Sequence, residues 1–417
     1  ILSEMEIFGK GGVNVEAAPE KEPDGNRLYL SGGNWRLQRG SEVPLSGESL
    51  SKEGFSTDGW ILATVPATVA SSYYNIGAIP DIRYDDDQLQ ISESFFLSDF
   101  WYRDEFTLPE EFEGKEMALN FDGINWKAEV FLNGVSLGRI DGAFIRGRFD
   151  ITGIAKKGKN VLAVKILKND NPGIIKEQNR ITADSNGGIL GADNPTMHCS
   201  IGWDWIPTVR GRDIGIWNDV FLQRSGPVRI VNPRITSQMP RLETLPPQFD
   251  TTRARVTLGG TLVNDSGKDI ETMREGSFGE YRFSKAVQLK AGVEETVSVT
   301  LDINHPKLWW PNGYGDPYLY PVQMRAGESD ALAFEAGIRE LTYDTADGSL
   351  RIWINGRRFI GRGGNWGFSE SNLRYRAADY QTAMELHRHE NFNMVRNWVG
   401  MVGDEEFYEA ADRCGIL

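Results

Sequence analysis

The sequence of 417 residues contains only two cysteines and four histidines, which leaves little material for a disulfide framework or a zinc site. Cys199 and Cys414 lie far apart and match no metal-ligand spacing, so we expect buried thiols. His387 and His389 fall on a predicted helix at a separation that makes their side chains diverge. The sequence therefore predicts no metal site and no cofactor.

Long apolar runs and positive charge are also scarce. No apolar stretch approaches the roughly 20 residues that a membrane-spanning helix requires. The chain carries 59 acidic and 45 basic residues, a net charge of −14 at pH 7, so we expect neither nucleic acid nor an anionic membrane as a partner. It begins Ile1-Leu-Ser-Glu-Met-Glu, which has no basic or apolar leader pattern and leaves export undecided.

Short alternating apolar segments divided by turn residues fill the region 28–225, after a polar extension over 1–27. Asn133-Gly134 stands between two such segments, and this dipeptide strongly favours a two-residue hairpin turn. The pattern predicts an antiparallel β-sandwich. Its predicted strands cover 28–30, 35–37, 60–65, 100–108, 117–121, 128–138, 161–167 and 219–222.

A joint at Gly226-Pro227 begins a second alternating region, 226–340, of a length typical of one immunoglobulin-like sandwich. Its predicted strands cover 230–236, 251–263, 281–289 and 295–303. The run Trp309-Trp-Pro-Asn-Gly that follows can be interpreted as an aromatic binding platform or as a Pro/Gly-shaped corner packing the sandwich. We favour the corner.

The pattern changes in 341–417. After another Asn-Gly hairpin at Asn355-Gly356, a helix is predicted over 377–390, a buried parallel strand over 392–399 and a second helix over 404–414. Gly415 is placed as the helix stop, and Ile416-Leu417 begins a further apolar strand. We interpret this as the first two βα units of a TIM (β/α)8 barrel, incomplete here because two units leave a parallel edge bare.

Aromatic and polar side chains suited to sugar occur in two places. In the first, Trp203, Asp204 and Trp205 stand before Pro207, and indole faces can stack on sugar CH groups while the carboxylate accepts hydroxyl hydrogens. The alternative is a buried indole pair with Asp204 as a turn cap. Residue types alone do not separate the two interpretations.

The second place is the predicted barrel rim, where polar groups at the C-terminal strand ends contact substrate. Polar side chains in an otherwise apolar strand are costly unless they face an open mouth. For Arg396 the alternative is an ion pair that supports the rim. The residues concerned are Asn365, Trp366, Arg396, Asn397 and Trp398.

Several other motifs are weak. Gly361-Arg-Gly-Gly lacks the following helix of a dinucleotide loop, and Asp85-Asp-Asp87 is best explained as a solvated loop, with calcium as the lesser alternative. Asn264-Asp-Ser266 matches a glycosylation sequon, a pattern common by chance. Glu110-Glu111 and Glu405-Glu406 lie at a turn and a helix start and are not promoted as a catalytic pair.

The co-linear order of these motifs resembles glycoside hydrolase family 2, which includes β-galactosidases, β-mannosidases and β-glucuronidases. The resemblance covers nearly all of 28–417 and implies a jelly-roll-like sugar-binding domain, followed by an immunoglobulin-like domain and a TIM barrel. The Trp-Asp-Trp form is similar to the β-mannosidase, exo-β-glucosaminidase and endo-β-mannosidase branch. Trp398-Val-Gly400 departs from the His-Tyr-Pro of the galactosidase pattern. The segments that carry the resemblance are 128–134, 202–205, 210–220, 308–320 and 393–417.

The resemblance implies a retaining glycosidase with one glutamate as nucleophile and a second as acid/base, about 5 Å apart. Both glutamates are expected beyond Leu417, so no catalytic residue is assigned and the chain alone is expected to be inactive. The expected function is an exo-acting β-glycosidase acting on an oligosaccharide or glycan, with secretion or a periplasmic location by family habit and a possible homo-oligomer. The alternatives are a non-catalytic carbohydrate-binding protein, an endo-β-mannosidase or a β-galactosidase.

Overall fold

Antiparallel strands dominate the computed structural model, which describes residues 21–23, 25–32, 34–81, 84, 87–171, 174–175, 188–189, 209–244, 248–366, 373, 376–397 and 404–417. These residues group into two units that divide between Arg224 and Ser225, and the second unit includes the described residues from 376 onward. No helix within the described ranges is long and apolar enough to cross a membrane.

The first unit is a β-sandwich. Its strands are β1 Arg27–Tyr29, β2 Arg36–Arg39, β3 Ile61–Leu62, β4 Ala67–Thr68, β5 Phe100–Leu108, β6 Glu116–Phe121, β7 Lys127–Leu132, β8 Val135–Asp141, β9 Gly147–Asp150, β10 Gly158–Leu167, β11 Ile174–Ile175, β12 Gly188–Ile189, β13 Gly215–Ile216 and β14 Val220–Ser225. A six-stranded sheet has the order β3-β2-β5-β10-β7-β8, and a four-stranded sheet has the order β1-β14-β6-β9.

Strand β5 shows why the sequence folds this way. Phe100 and Tyr102 are buried in the core between the sheets, whereas Trp101 lies on the other face in a separate small core with Leu50 and Phe131. A sheet with both faces buried reads as an apolar run rather than a clean alternation. The second core is covered by a short helix, α1 (Gly47–Leu50), which the apolar pattern did not predict.

Both predicted Asn-Gly hairpins are confirmed. Asn133 and Gly134 have φ of 52° and 86°, and Leu132 pairs directly with Val135. The turn that contains Asn355 is the same type, with Ile354 paired to Arg357. In each case the asparagine tolerates the left-handed conformation that the turn requires.

The second unit begins with another β-sandwich. Its strands are β15 Val228–Gln238, β16 Arg241–Leu242, β17 Gln248–Phe249, β18 Arg253–Asn264, β19 Ile270–Phe278, β20 Tyr281–Leu289, β21 Glu294–Asn304, β22 Leu319–Ala326 and β23 Asp330–Gly337. The two main sheets have the orders β15-β18-β21 and β20-β19-β22-β23, and β16 pairs with β17 in a two-stranded sheet. Five of these strands, β16, β17, β19, β22 and β23, were not predicted.

The Trp-Trp-Pro-Asn-Gly run is a packed corner, as favoured from the sequence. Trp309 is buried, and its Nε1 donates to the carbonyl oxygen of Asp412 at 2.7 Å. Asn312 Nδ2 donates to the carbonyl oxygens of Arg388 and Phe392, both at 2.9 Å. The run therefore ties the sandwich to the segments that follow it.

Those segments form an alternating β-α-β-α arrangement. A three-stranded sheet comprises β24 Leu341–Asp344, β25 Arg351–Ile354 and β26 Arg357–Phe359. It is followed by β27 Asn365–Trp366, a helix Ala377–His389, β28 Arg396–Asn397 and a helix Glu405–Cys414. The first unit also contains a short α-helix, Val69–Asn75. Further short 3-10 helices lie at Gly40–Glu42, Asp87–Gln90, Glu93–Phe96, Glu110–Phe112 and Arg210–Asp213.

The strands in this arrangement run parallel. β27 pairs with β28, and Asn393 N donates to Arg362 O, so the pairing extends back along both segments. Leu417 N donates to Asn393 O, and Val395 N donates to Leu417 O, which is a parallel bonding pattern with a third segment. Within the described part of the strand predicted over 392–399, the regular strand is Arg396–Asn397, and Trp398 and Val399 lie outside the described residues.

The second helix of this arrangement ends where the sequence predicts. Gly415 has φ of 70°, and Ile416 N donates to Ala411 O. This is the left-handed stop that glycine adopts without steric cost.

Candidate functional site

The ends of β27 and β28 bring three of the predicted site residues together. Asn365 lies directly opposite Arg396 in the parallel pair, and Arg396 Nη1 donates to Asn365 Oδ1 at 3.1 Å. Both side chains are exposed. Asn397 follows on the same strand and pairs with Trp366, so its side chain lies on the opposite face from those of Asn365 and Arg396.

Asn397 is the most informative member of this group. Its Oδ1 is buried and accepts no hydrogen bond from any described residue. A buried acceptor that lacks a donor costs about 1–3 kcal/mol. An amide held this way at a strand end is suited to a donor supplied by another group, such as a sugar hydroxyl.

Trp366 is placed differently from its predicted role as a sugar wall. Its side chain is buried, with its ring 5.7 Å from that of His387 and 5.6 Å from that of Phe407. His387 Nδ1 donates to the carbonyl oxygen of Ala383 at 2.7 Å, which fixes the imidazole beneath the indole. Trp366 is thus part of the packing between β27 and the helices, and its contact with sugar stays a prediction.

The other four predicted site residues, Trp203, Asp204, Trp205 and Trp398, lie outside the described residues. The turn that follows the first three is described and is rich in buried charge. Arg212 Nη1 lies 3.1 Å and Arg210 Nη1 lies 3.9 Å from Glu93 Oε1. Both arginine side chains are buried.

The backbone of this turn is strained. Gly211, Arg212 and Asp213 have φ of 77°, 52° and 56° in succession. Non-glycine residues in this conformation cost about 1–3 kcal/mol each and persist where neighbouring groups fix them. Asn125 Nδ2 provides one such restraint, because it donates to the carbonyl oxygen of Arg212 at 2.7 Å.

Sequence reasoning missed this turn. The segment 210–213 served only as part of the family resemblance, and its four residues are buried together in the structure. A run of charged residues around a glycine, between an apolar segment and Gly215, was the available signal. It was weak because charged runs are usually solvated.

Gly215 explains the start of the Gly-Ile-Trp segment. Its φ is +141°, and a Cβ there would lie 2.9 Å from the backbone nitrogen of Val69. The absent side chain lets this segment bridge to Asn125 and pair with β4. Trp217 then packs inward, with Nε1 donating to the carbonyl oxygen of Ala143 at 3.2 Å.

Two of the remaining motifs, the Gly361-Arg-Gly-Gly run and the sequon, have packing explanations. A Cβ at Gly363 would lie 1.7 Å from the carbonyl oxygen of Met394, so this glycine permits the close approach of parallel segments. Asn264 of the sequon is fully buried, and its Nδ2 donates to three backbone carbonyls. Within the described ranges, no group of three or more His, Cys, Asp or Glu side chains could hold a metal ion.

Comparison with known proteins gives two family matches. Residues 35–218 match the galactose-binding domain-like family of glycosyl hydrolase 2, and residues 244–339 match the glycosyl hydrolases family 2 domain. The first match covers most of the β-sandwich of the first unit, and the second covers most of the next sandwich.

Among curated relatives, a mannosylglycoprotein endo-β-mannosidase of Lilium longiflorum is 33% identical over 94% of this chain and 42% of its own length. An exo-β-D-glucosaminidase of Streptomyces avermitilis is 26% identical over 100% of this chain and 44% of its own length. The chain thus spans less than half the length of these relatives.

Solved structures show the same fold. The crystal structure of the exo-chitosanase of Amycolatopsis orientalis has a TM-score of 0.78 at 24% identity and covers 94% of this chain and 43% of its own. The β-D-mannosidase of Dictyoglomus thermophilum has a TM-score of 0.71 at 23% identity over 94% of this chain and 46% of its own. Two matched domains in order, together with relatives along almost the whole chain, show that the protein belongs to glycoside hydrolase family 2.

Proposed function

We propose that this chain is the substrate-recognition part of a retaining, exo-acting β-glycosidase of the mannosidase or glucosaminidase type. The observation that carries the proposal is the rim of Asn365, Arg396 and Asn397 at the ends of parallel strands. The family and its curated relatives support glycosidic bonds as the target.

The parallel segments are proposed as the start of a TIM barrel. Bonds that join Arg362, Asn393 and Leu417 follow the order expected of its first three strands. Later strands would supply the nucleophile and acid/base glutamates, about 5 Å apart as retention requires. On this proposal the described residues bind substrate, and the chain alone is inactive.

Each rim residue has a proposed role. Asn397 Oδ1 accepts a hydrogen bond from a ring hydroxyl, which provides the donor that the described residues lack. Arg396, fixed by Asn365, orients the nucleophile carboxylate. The Asp204 carboxylate accepts hydrogen bonds from hydroxyls at the far end of the terminal sugar. The apolar walls of the sugar subsite are Trp203, Trp205, Trp366 and Trp398.

The proposed substrate is an oligosaccharide or glycan. Export to the periplasm or the outside of the cell, and assembly into a homo-oligomer, belong to the same proposal. An endo-β-mannosidase is a second candidate, favoured by the 33% identity to the Lilium longiflorum enzyme.

The test is hydrolysis of aryl β-mannoside, β-glucosaminide and β-galactoside by the protein at its natural length, compared with release of internal mannosyl units from a glycan. Asp204→Ala should raise KM on the best aryl substrate. Unchanged KM and turnover in that variant would refute the role of Asp204. Absence of any hydrolysis, with oligosaccharide binding retained, would favour the non-catalytic alternative.

A further inference from the structure

Several loops of the first sandwich lie at the same end of its strands. The register places the end of β10 beside the start of β7 and the end of β8, since Lys127 pairs with both Leu167 and Asp141. The end of β6 meets the start of β9 where Phe121 pairs with Gly147. The loops 122–126 and 142–146 therefore lie at the same end.

The described turn that follows the Trp-Asp-Trp segment lies at this end too. Asn125 Nδ2 donates to the carbonyl oxygen of Arg212, and Gly215 forms a β-bridge with Asn125. This turn therefore lies beside the loop 122–126.

The loop 142–146 exposes apolar side chains at this end. Phe144 is 41% exposed and Ile145 is 55% exposed. They are followed by Arg146, whose Nε lies 3.4 Å from Asp122 Oδ1. We call Phe144, Ile145 and Arg146 the tip patch.

The tip patch is held firmly. Phe144 packs edge-to-face on Trp217, with ring centroids 6.0 Å apart at 77°. Trp217 is itself buried and bonded to the carbonyl oxygen of Ala143. Ile145 N donates to Gly142 O and closes the turn. Because these side chains are already held in place, they lose little conformational entropy when a ligand binds.

The size and chemistry of the tip patch indicate its ligand. Phe144 and Ile145 together present on the order of 150 Å² of apolar area, since one aromatic side chain carries about 150–250 Å². This suits one pyranose face and is far below the ~800 Å² per partner that a stable protein interface buries. The Asp122–Arg146 pair beside it offers both an acceptor and donors, as a hydroxyl-bearing ring requires.

We propose that the tip patch is a second carbohydrate-binding subsite, which stacks a neutral pyranose unit of an oligosaccharide on Phe144 and Ile145. Arg146 and Asp122 bond its hydroxyls. The proposal rests on the proposed function in that the ligand is a carbohydrate. It adds that the sandwich itself contacts an internal sugar unit of the oligosaccharide, so that longer oligosaccharides bind more tightly than monosaccharides.

The test is calorimetric titration of the 417-residue chain with β-1,4-mannotetraose, N-acetylchitotetraose and methyl β-mannoside. Phe144→Ala should weaken tetrasaccharide binding about fivefold, the factor that corresponds to about 1 kcal/mol. Binding of the monosaccharide should stay as it is. Phe144→Trp should restore tetrasaccharide affinity because it restores an aromatic face.

Val135→Ala is the matched control, because Val135 is an exposed apolar residue at the opposite, hairpin end of β8. The Val135→Ala variant should bind each tetrasaccharide with the affinity of the unchanged chain. The proposal is overturned if Phe144→Ala binds both tetrasaccharides as the control does, if it loses the same factor on the monosaccharide, or if the unchanged chain binds no tetrasaccharide.

These outcomes separate the two proposals. If the protein at its natural length hydrolyses aryl β-glycosides while Phe144→Ala binds tetrasaccharide normally, only the tip-patch proposal fails. If it hydrolyses none while tetrasaccharide binding depends on Phe144, only the glycosidase proposal fails.

Discussion

Glu93 and Arg212 are 119 residues apart in the sequence, yet Glu93 Oε1 accepts a hydrogen bond from Arg212 Nη1 at 3.1 Å. The arginine side chain is 4% exposed and that of Glu93 is 26% exposed. Arg210 approaches the same oxygen. One carboxylate therefore balances two buried guanidinium groups at the turn that follows the Trp-Asp-Trp segment.

Glu93→Gln should destabilise the first unit. The variant leaves two buried guanidinium groups without this carboxylate, at a cost of about 1–3 kcal/mol after allowance for the partial exposure of Glu93. Denaturant unfolding followed by tryptophan fluorescence measures the change. Glu113→Gln, which breaks a surface pair with Lys157, is the control and should change the free energy of unfolding by less than about 0.5 kcal/mol. Equal effects of the two substitutions would contradict the balancing role of Glu93.

Asp104 should make stability depend on pH. Burial raises the pKa of its carboxyl from 3.8 to about 7, and the Glu105 carboxylate adds to this, while a backbone hydrogen bond and the charges of Arg103 and Arg36 oppose it. The folded chain therefore holds this proton where the unfolded chain releases it. The stability linked to Asp104 is present below about pH 4 and is lost as pH rises through about 7.

Asp104→Asn removes that titration. The variant should be more stable than the unchanged chain at pH 8, by on the order of 2–4 kcal/mol, and close to it at pH 4. Free energies of unfolding at pH 4, 6 and 8 give the comparison. A difference between the two proteins that does not vary with pH would show that Asp104 has no raised pKa.

Asn264→Asp should destabilise the second unit. The amide donates at 2.8 Å to Lys268 O and at 3.0 Å to Lys290 O from a fully buried position. A carboxylate there would face these carbonyl oxygens without a hydrogen to donate, at a cost of about 2–4 kcal/mol. Thermal unfolding is the measurement. Asn304→Asp, at an exposed strand end, should leave Tm within about one degree, and a similar loss of Tm in both variants would count against the burial argument.

Asn397→Ala should separate binding from stability. Removing a buried oxygen that lacks a donor in the described structure should leave Tm unchanged or slightly raised. In the protein at its natural length, kcat/KM on the best aryl β-glycoside should fall about tenfold or more, the factor for about 1.4 kcal/mol. Unchanged kcat/KM would remove Asn397 from the proposed site, whereas a lower Tm would assign it a structural role.

The sequence by itself determined the elements whose physics is local. Asn133-Gly134 and Asn355-Gly356 form hairpin turns because asparagine and glycine tolerate positive φ. Gly415 ends its helix for the same reason. Alternating apolar segments predicted the two sandwiches, and the pattern of helices and buried strands predicted the βα order. The order of the motifs indicated the family.

Only the tertiary structure decided which side chains are buried. The sequon at Asn264 is closed by carbonyls that come from separate parts of the chain, and Trp366 is packed under the rim because two helices cover it. Glu93 meets Arg212, and Phe144 stays exposed against Trp217, through contacts across long sequence separations. Local patterns carry no information about such contacts, because burial depends on what the rest of the chain places nearby.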